Sequence, residues 1–181
     1  MKTCYFTFGR FNPPTIGHEK LLRTLEKQAA SNDYLIYPSQ TFKKPNNPLP
    51  YDYKVETMKK MFPWAKIETA ACCNTIIKVA QDMMMKDYSD IVMVVGSDRV
   101  ADFDKLLNKQ NTIDYTFNTI KVVSAGERDP DADGASGMSA SKMREAVKEG
   151  KTKNFMEGIP NTLSIQEKLE LMEEVRKGMG L

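Results

Sequence analysis

Residues 9–18 of this chain read Gly9-Arg10-Phe11-Asn12-Pro13-Pro14-Thr15-Ile16-Gly17-His18. The apolar run at residues 4–8 predicts a β-strand before this stretch, and residues 19–25 predict a helix after it. The stretch is therefore a loop that leads from the end of a strand into the first turn of a helix. Such a loop offers open backbone N–H groups and the positive end of a helix dipole, and both suit a phosphate group.

Two polar side chains stand at the start of that helix. Thr15 and His18 are three positions apart, so we expect them to share one face of the first turn. His18 is also the only histidine in the chain. A lone histidine is more often a packed or surface residue than a catalyst, and a Gly-Pro turn before a helix is common. On this stretch alone, a structural and a functional interpretation stay equally open.

The composition is that of an ordinary globular domain. The chain has 181 residues, of which 41% are hydrophobic and 28% charged, and its net charge is +2. We predict one domain over residues 1–181, with its core in residues 1–149 and a helical extension in residues 150–181. The charge is too near neutral to indicate a nucleic-acid or membrane surface. No run approaches the ~18 apolar residues of a membrane span, and we expect a soluble, cytoplasmic protein.

The sequence does not predict a protein-bound metal centre. Cys4, Cys72 and Cys73 form no CxxC pair, so we interpret them as small apolar residues in a reducing compartment rather than as zinc ligands. Residues 129–134 begin like an EF-hand calcium loop. Ala140, however, occupies the position that requires Glu, and Pro130 occupies the second position.

Strand and helix patterns alternate along the whole chain, which predicts an α/β fold with a Rossmann-like, doubly wound, five-stranded parallel sheet. The predicted strands are residues 4–8, 34–38, 66–70, 90–97 and 119–125. The predicted helices are residues 17–30, 53–62, 75–86 with Asn74 as its cap, 98–109, 139–149, and a last helix that a capping box opens at Ser164–Glu167.

In such a sheet, ligands bind beyond the carboxyl ends of the strands, where the strand order reverses. The loops at those ends are residues 9–18, 39–50, 96–99 and 126–139, and they hold the most distinctive polar residues of the sequence. Fold geometry and chemistry therefore point to the same set of loops.

A second informative segment, residues 137–144, reads Gly137-Met138-Ser139-Ala140-Ser141-Lys142-Met143-Arg144. Ser139 suits a helix N-cap, and the next turns hold a hydroxyl, a lysine and an arginine. This arrangement suits a polyphosphate. The structural alternative is an ordinary capped helix whose lysine and arginine are solvated.

Together, the two segments resemble the signature pair of the HIGH-motif nucleotidyltransferase superfamily. Its first motif has the form G-x-F-x-P-x-[H/T]-x-G-H, and its second S-[S/G]-T-x-x-R. Thr15 stands where many members have His, and Ala140 and Ser141 replace the Ser or Gly and the Thr of the second motif. Residues 96–99, Gly96-Ser97-Asp98-Arg99, also resemble this family. The likeness spans residues 2–149, and residues 9–22 are similar to nucleotidyltransferase-like proteins of tailed phages.

The resemblance implies adenylyl transfer from ATP to a phosphate-bearing acceptor, with release of pyrophosphate. Nicotinamide mononucleotide, giving NAD, is the acceptor that the Gly9-Arg10-Phe11 opening favours. The implied catalytic residues are His18, Thr15 and Arg144. The implied nucleotide-binding residues are Gly9, Arg10, Phe11, Asn12, Gly17, Ser139, Ser141 and Lys142. The implied acceptor or phosphate ligands are Lys43, Lys44, Gly96, Asp98 and Arg99.

The resemblance also implies Mg²⁺, held mainly by substrate phosphates, and small-molecule partners rather than nucleic acid or membrane. It leaves a homo-oligomer open. Phosphopantetheine adenylyltransferase is an alternative that Thr15 favours. A cytidylyltransferase is another, although the long signature R-T-x-G-[IV]-S-[ST]-[ST] is absent. A class I aminoacyl-tRNA synthetase is disfavoured by the chain length. A phage structural or assembly protein that keeps the fold without catalysis is the alternative of a different class.

Overall fold

The computed structural model describes residues 1–126 and 138–181. The polar loop predicted at residues 126–137, apart from Gly126, and the calcium-like residues 129–134 lie outside the described residues. The described residues form two compact units. The first comprises residues 1–9, 21–39 and 66–126, and the second comprises residues 10–20, 40–65 and 138–181.

The first unit is built on a parallel sheet of four strands. Its strands are β1 (Thr3–Gly9), β2 (Asp33–Pro38), β3 (Asp90–Val95) and β4 (Thr119–Ser124), in the order β2-β1-β3-β4. Every neighbouring pair is parallel. The chain therefore steps to one side of β1 for β2 and to the other side for β3, so the strand order reverses between β1 and β3. The predicted α/β class and parallel sheet are confirmed.

The predicted fifth strand, residues 66–70, is wrong. This segment makes one isolated bridge to β2, in which the N–H of Ile36 donates to Lys66 O at 2.9 Å and the N–H of Glu68 donates to Ile36 O at 2.8 Å. The side-chain carboxylate of Glu68 then accepts the N–H groups of Thr69 and Ala70 at 2.9 and 3.0 Å. The Ala70 amide is the one that the next step of a ladder to β2 would use, and because a local side chain takes it, the pairing stops there.

The core of the first unit lies on β3 and the helices packed against it. Ile91 to Val95 are all buried, as a strand with continuous apolarity in the middle of a sheet predicts. Helix α3 (Ile76–Met85) contributes Val79, Ala80 and Met83 to the same core, and α4 (Val100–Lys109) contributes Leu107. Burying each large apolar side chain stabilises the fold by about 1.5–3 kcal/mol.

The cap of α3 lies one residue later than predicted. Thr75, not Asn74, has the extended backbone of a cap, and its side chain accepts the N–H of Lys78 at 3.2 Å. A 3₁₀ turn, Ser97–Arg99, precedes α4. This turn explains why the helix itself begins at Val100 rather than at the predicted Asp98.

The second unit is helical. It holds the first turn of α1 (Ile16–Ala29), then α2 (Tyr51–Met61), α5 (Ala140–Lys148), α6 (Thr152–Glu157) and α7 (Ile165–Gly178). The capping box at the start of α7 is confirmed. The sequence did not predict α6, whose six residues bury only Phe155 and so show no helical stripe. No helix in the described parts of the chain combines the length and apolarity needed to cross a bilayer.

Candidate nucleotide-binding site

The loop after β1 is packed and internally bonded. Phe11 to Thr15 are all buried, whereas Arg10 is exposed. The Asn12 side chain accepts the N–H of Leu49 at 2.8 Å and donates to Leu49 O at 3.4 Å. The predicted nucleotide ligand Asn12 therefore uses its side-chain amide to fix the loop.

Thr15 caps α1. Its Oγ1 accepts the N–H of Gly17 at 3.1 Å and the N–H of His18 at 3.4 Å, and its carbonyl accepts the N–H of Glu19 at 3.0 Å. The remaining N–H of the first turn, from Ile16, donates to Gly158 O at 3.0 Å. The expectation of open N–H groups at this helix start is therefore wrong, because all four have partners. The Thr15 hydroxyl is itself fully buried.

The position of His18 fixes which ring nitrogen can act on a ligand. The backbone N–H of Thr15 donates to Nδ1 of His18 at 3.0 Å, and the Thr15 hydroxyl lies 3.3 Å from the same atom. An accepting Nδ1 carries no proton, so the proton of the neutral ring is on Nε2. The Phe11 ring packs edge-on against the imidazole, with centroids 4.9 Å apart. His18 is thus oriented as a hydrogen-bond donor through Nε2.

A close approach of the chain favours glycine at position 17. A Cβ at this position would lie 3.1 Å from the carbonyl oxygen of Met138, which is tighter than an ordinary contact. Met138 directly precedes Ser139, the N-cap of α5, whose Oγ accepts the N–H of Lys142 at 3.2 Å. The glycine of the first motif therefore lets the second motif pack against the start of α1.

Arg144 joins the two motifs. Its guanidinium donates to Asn12 O at 2.9 Å and to Ser141 Oγ at 3.2 Å. Burial lowers the pKa of Arg144, and the positive charge of Arg10 lowers it further. In the described part of the chain, no carboxylate forms an ion pair with either arginine. Two cations that repel each other without a bound carboxylate suit an anionic ligand.

Lys54 supports this loop and was missed by sequence reasoning. Its side chain is fully buried, and Nζ donates to Arg10 O at 2.7 Å. Burial lowers its pKa to about 8. Lys54 belongs to the buried face of α2 with Thr57, Met58 and Met61, at spacings of three, four and seven residues. A lysine within such an apolar stripe was the signal that could have found it.

The other predicted ligands belong to other turns of the chain or to the end of β1. Lys43 and Lys44 are exposed on a tight turn in which Lys43 and Asn47 exchange two backbone hydrogen bonds of 3.0 and 2.8 Å. Gly9 ends β1 and accepts the N–H of Ser39 at 2.7 Å. Gly96, Asp98 and Arg99 belong to the first unit, where Gly96 directly precedes the 3₁₀ turn that holds the exposed Asp98 and Arg99.

A groove of about 1580 Å³ lies beside the second motif, within the second unit. Ile16, Met138 and Lys142 line one part of it, and α5 also contributes Glu145 and Glu149. These α5 residues share a helix face that is turned away from Arg144. Because the groove carries charges of both signs, it lacks the positive character that a triphosphate requires, and the arginine side of α5 fits that ligand better.

Comparison with solved structures finds proteins of the same fold. Nicotinic acid mononucleotide adenylyltransferase of Plasmodium falciparum, complexed with NaAD, is 14% identical with a TM-score of 0.61, over 96% of this chain and 98% of that one. A bifunctional NMN adenylyltransferase/ADP ribose pyrophosphatase of Francisella tularensis is 14% identical with a TM-score of 0.60, over 99% and 53%. TmcAL of Thermotoga maritima, bound with alpha-thio ATP, is 12% identical with a TM-score of 0.54, over 99% and 57%.

At these identities the likeness establishes the fold alone. A comparison with curated proteins finds no match to this sequence. The family comparison is more informative, because the cytidylyltransferase-like family matches residues 6–146, which is well over half of the chain. The match runs through both motif segments, residues 9–18 and 139–144, and confirms the resemblance that they carry. The chain therefore belongs to the cytidylyltransferase-like family.

Proposed function

We propose that this protein transfers the adenylyl group of ATP to a phosphate-bearing acceptor and releases pyrophosphate. The observation that carries the proposal is that Arg144 donates to the loop that orients His18 and interacts with the charge of Arg10, while no described carboxylate pairs with either guanidinium. Membership of the cytidylyltransferase-like family supports nucleotidyl transfer as the reaction class. A bound triphosphate would supply the negative charge that pairs with these two arginines.

The chemistry needs no protein nucleophile. An acceptor phosphate oxygen attacks the α-phosphorus in line, the bond to the bridging oxygen breaks, and the electron pair leaves with pyrophosphate. Catalysis is then positioning and stabilisation of the charge on the phosphoryl oxygens. In our proposal, His18 Nε2 donates to an α- or β-phosphate oxygen, and Arg144 binds the β- and γ-phosphates of the leaving group.

The start of α5 adds backbone donors to this arrangement. Ser139 takes the N–H of Lys142 through its side chain and that of Met143 through its carbonyl. Within the described residues, no hydrogen bond takes the N–H of Ala140 or Ser141. We assign these two amides to the leaving phosphates, since the positive end of a helix dipole favours an anion there. The exposed Lys43 and Lys44 are proposed ligands of the acceptor phosphate.

Magnesium stays a prediction. Among the described residues, the only group of three His, Cys, Asp or Glu ligand atoms is far in sequence from both motifs, at Cys72, Cys73 and Asp82. The motif residues supply hydroxyls, an imidazole and guanidinium groups, which do not make a magnesium cage. The residues present therefore do not hold Mg²⁺ by themselves, and no step of the proposed reaction depends on such a protein site.

Nicotinamide mononucleotide is the acceptor that we propose, with NAD as the product. The feature that favoured phosphopantetheine was Thr15 at the position where many family members have His. In the structure this threonine is a buried helix cap. Its hydroxyl therefore has a structural explanation and gives the phosphopantetheine branch no special support.

A pyrophosphate-release screen tests the proposal. ATP and CTP are each combined with nicotinamide mononucleotide, nicotinate mononucleotide, phosphopantetheine, FMN and glycerol 3-phosphate. We expect turnover with ATP and nicotinamide mononucleotide, reduced ~10²-fold or more by His18→Ala and unchanged by Lys27→Ala on the exposed end of α1. Turnover with CTP alone would rule out adenylyl transfer. ATP binding without any turnover would favour the non-catalytic phage protein.

A further inference from the structure

A cluster of metal-ligand atoms lies in the first unit and shares no residue with the two motif segments. The Sγ atoms of Cys72 and Cys73 are 3.2 Å apart, and Cys72 Sγ is 4.0 Å from Asp82 Oδ1. One ligand atom from each residue lies within 4.8 Å of the other two. The cysteines stand on the turn before α3, and Asp82 lies in the second turn of that helix. Local folding thus assembles a group that the sequence keeps ten residues apart.

The carboxylate of this cluster is held in one orientation. Asp82 Oδ2 accepts the hydroxyl of Tyr37 at 2.8 Å and lies 3.0 Å from Lys86 Nζ. Tyr37 is fully buried, and Lys86 is also paired with Glu68 at 3.2 Å. These contacts occupy one oxygen and leave Oδ1 facing the thiols. Metal-ligating carboxylates are typically supported by such outer hydrogen bonds, which fix the ligand before the ion arrives.

Core filling explains only one of the two cysteines. Cys73 is 3% exposed, as an apolar filler should be, but Cys72 is exposed. The cluster therefore opens to solvent on one side, which gives an ion an entry path and room for a water ligand.

We propose that Cys72, Cys73 and Asp82 bind one thiophilic divalent cation of the Zn²⁺ or Cd²⁺ type, with water as the fourth ligand. Thiolates select such ions over Mg²⁺ and Ca²⁺, and three protein ligands with one open position is an established zinc arrangement. On binding, each thiol releases its proton to solvent and its sulfur lone pair forms the bond to the ion. A tetrahedral ion with ~2.3 Å bonds to sulfur holds two sulfurs about 3.8 Å apart. The exposed Cys72 has room to make this small opening.

Cadmium titration of the purified full-length chain, kept reduced with a phosphine, tests this site. The readout is the ultraviolet thiolate-to-cadmium charge-transfer band. We expect one Cd²⁺ per chain, displaced by Zn²⁺ but not by excess Mg²⁺. Cys72→Ser should abolish tight binding. Asp82→Asn should weaken it ~10–100-fold, and Tyr37→Phe, which removes only the outer hydrogen bond, about tenfold.

Cys4→Ala is the matched control, because Cys4 is the remaining cysteine and is fully buried in the core. It should bind Cd²⁺ like the wild type. Equal binding by the wild type and Cys72→Ser, loss of binding in Cys4→Ala, or no charge-transfer band in the folded protein would each overturn the proposal. Asp82→Asn also loses contacts to Tyr37 and Lys86. If that variant does not fold, the contrast between Cys72→Ser and Cys4→Ala still decides.

Discussion

The two helices that carry the motif residues begin in different ways. At the start of α1, Thr15 and Gly158 between them accept all four N–H groups of the first turn. At the start of α5, Ser139 accepts only those of Lys142 and Met143. One helix start is closed by the protein itself, and the other keeps donors for a ligand. We infer that the first motif orients His18, while the second motif receives the phosphates.

Arg144→Ala should produce the largest effect, because it removes the cation that stands beside the open helix start. We expect kcat/KM for the proposed adenylyl transfer to fall about 10²–10³-fold. Arg144→Lys should recover only part of the loss, since one ammonium group cannot keep the two bonds to Asn12 O and Ser141 Oγ. Lys148→Ala, an exposed cation on the same helix, is the control. Steady-state pyrophosphate release measures kcat/KM for each variant. A normal kcat/KM for Arg144→Ala would contradict the assignment of the phosphates to the start of α5.

A pair of proline substitutions tests the difference between the helix starts directly. Proline is tolerated at the first position of a helix and removes only the N–H there. Ala140→Pro should therefore weaken ATP binding about tenfold, with little change in the free energy of unfolding. Ile16→Pro breaks a bond to Gly158 O that the fold uses. It should lower the free energy of unfolding by about 1–3 kcal/mol.

Isothermal titration with ATP and urea denaturation measure the two effects in each variant. Ser139 has an extended backbone, with ψ near 162°, which suits a residue before proline. The comparison fails if both substitutions lower stability equally while ATP binding is unaffected. It also fails if Ile16→Pro is the one that weakens ATP binding in a chain of unchanged stability.

The sequence predicted features that depend on local pattern. The buried strand β3, the capping box at Ser164 and the shared face of Thr15 and His18 are all confirmed, because each depends on residues a few positions apart. The prediction of a fifth strand was wrong for a reason that composition does not show. Residues 66–70 have a strand-like pattern, but the Glu68 carboxylate takes the Ala70 amide, which the next step of pairing with β2 would need.

The site was predicted less completely, because its remaining contacts join distant residues. The link from Lys54 to Arg10 spans 44 positions, and that from Arg144 to Asn12 spans 132. The sequence did not predict the second link, because the resemblance of both segments to one family implied only that they serve one site. The thiol–carboxylate cluster was missed because the spacing rules for zinc consider cysteine and histidine, whereas the third ligand here is Asp82 on the following helix.

Lys54→Met tests whether the loop before α1 depends on a buried charge. We expect it to give a smaller effect than the substitutions above, seen as a change in the free energy of unfolding per pH unit. Burial lowers the pKa of Lys54 from 10.5 to about 8. Between these two values the unfolded chain binds more protons than the folded one, so the free energy of unfolding rises with pH. Below pH 8 both states are protonated, and the cost of burying the charge is fully present.

The rise is at most about 1.4 kcal/mol per pH unit, and the Met variant should lack it. The difference between the wild type and Lys54→Met, from urea denaturation between about pH 7 and about pH 10, should therefore grow in favour of the wild type. Lys59→Met, on the exposed face of α2, should run parallel to the wild type. If the Lys54 difference stays flat with pH, the lysine titrates at its ordinary pKa. The bond to Arg10 O would then be made by an ammonium group that stays charged up to its ordinary pKa, and burial of Lys54 would add no pH-dependent cost to folding.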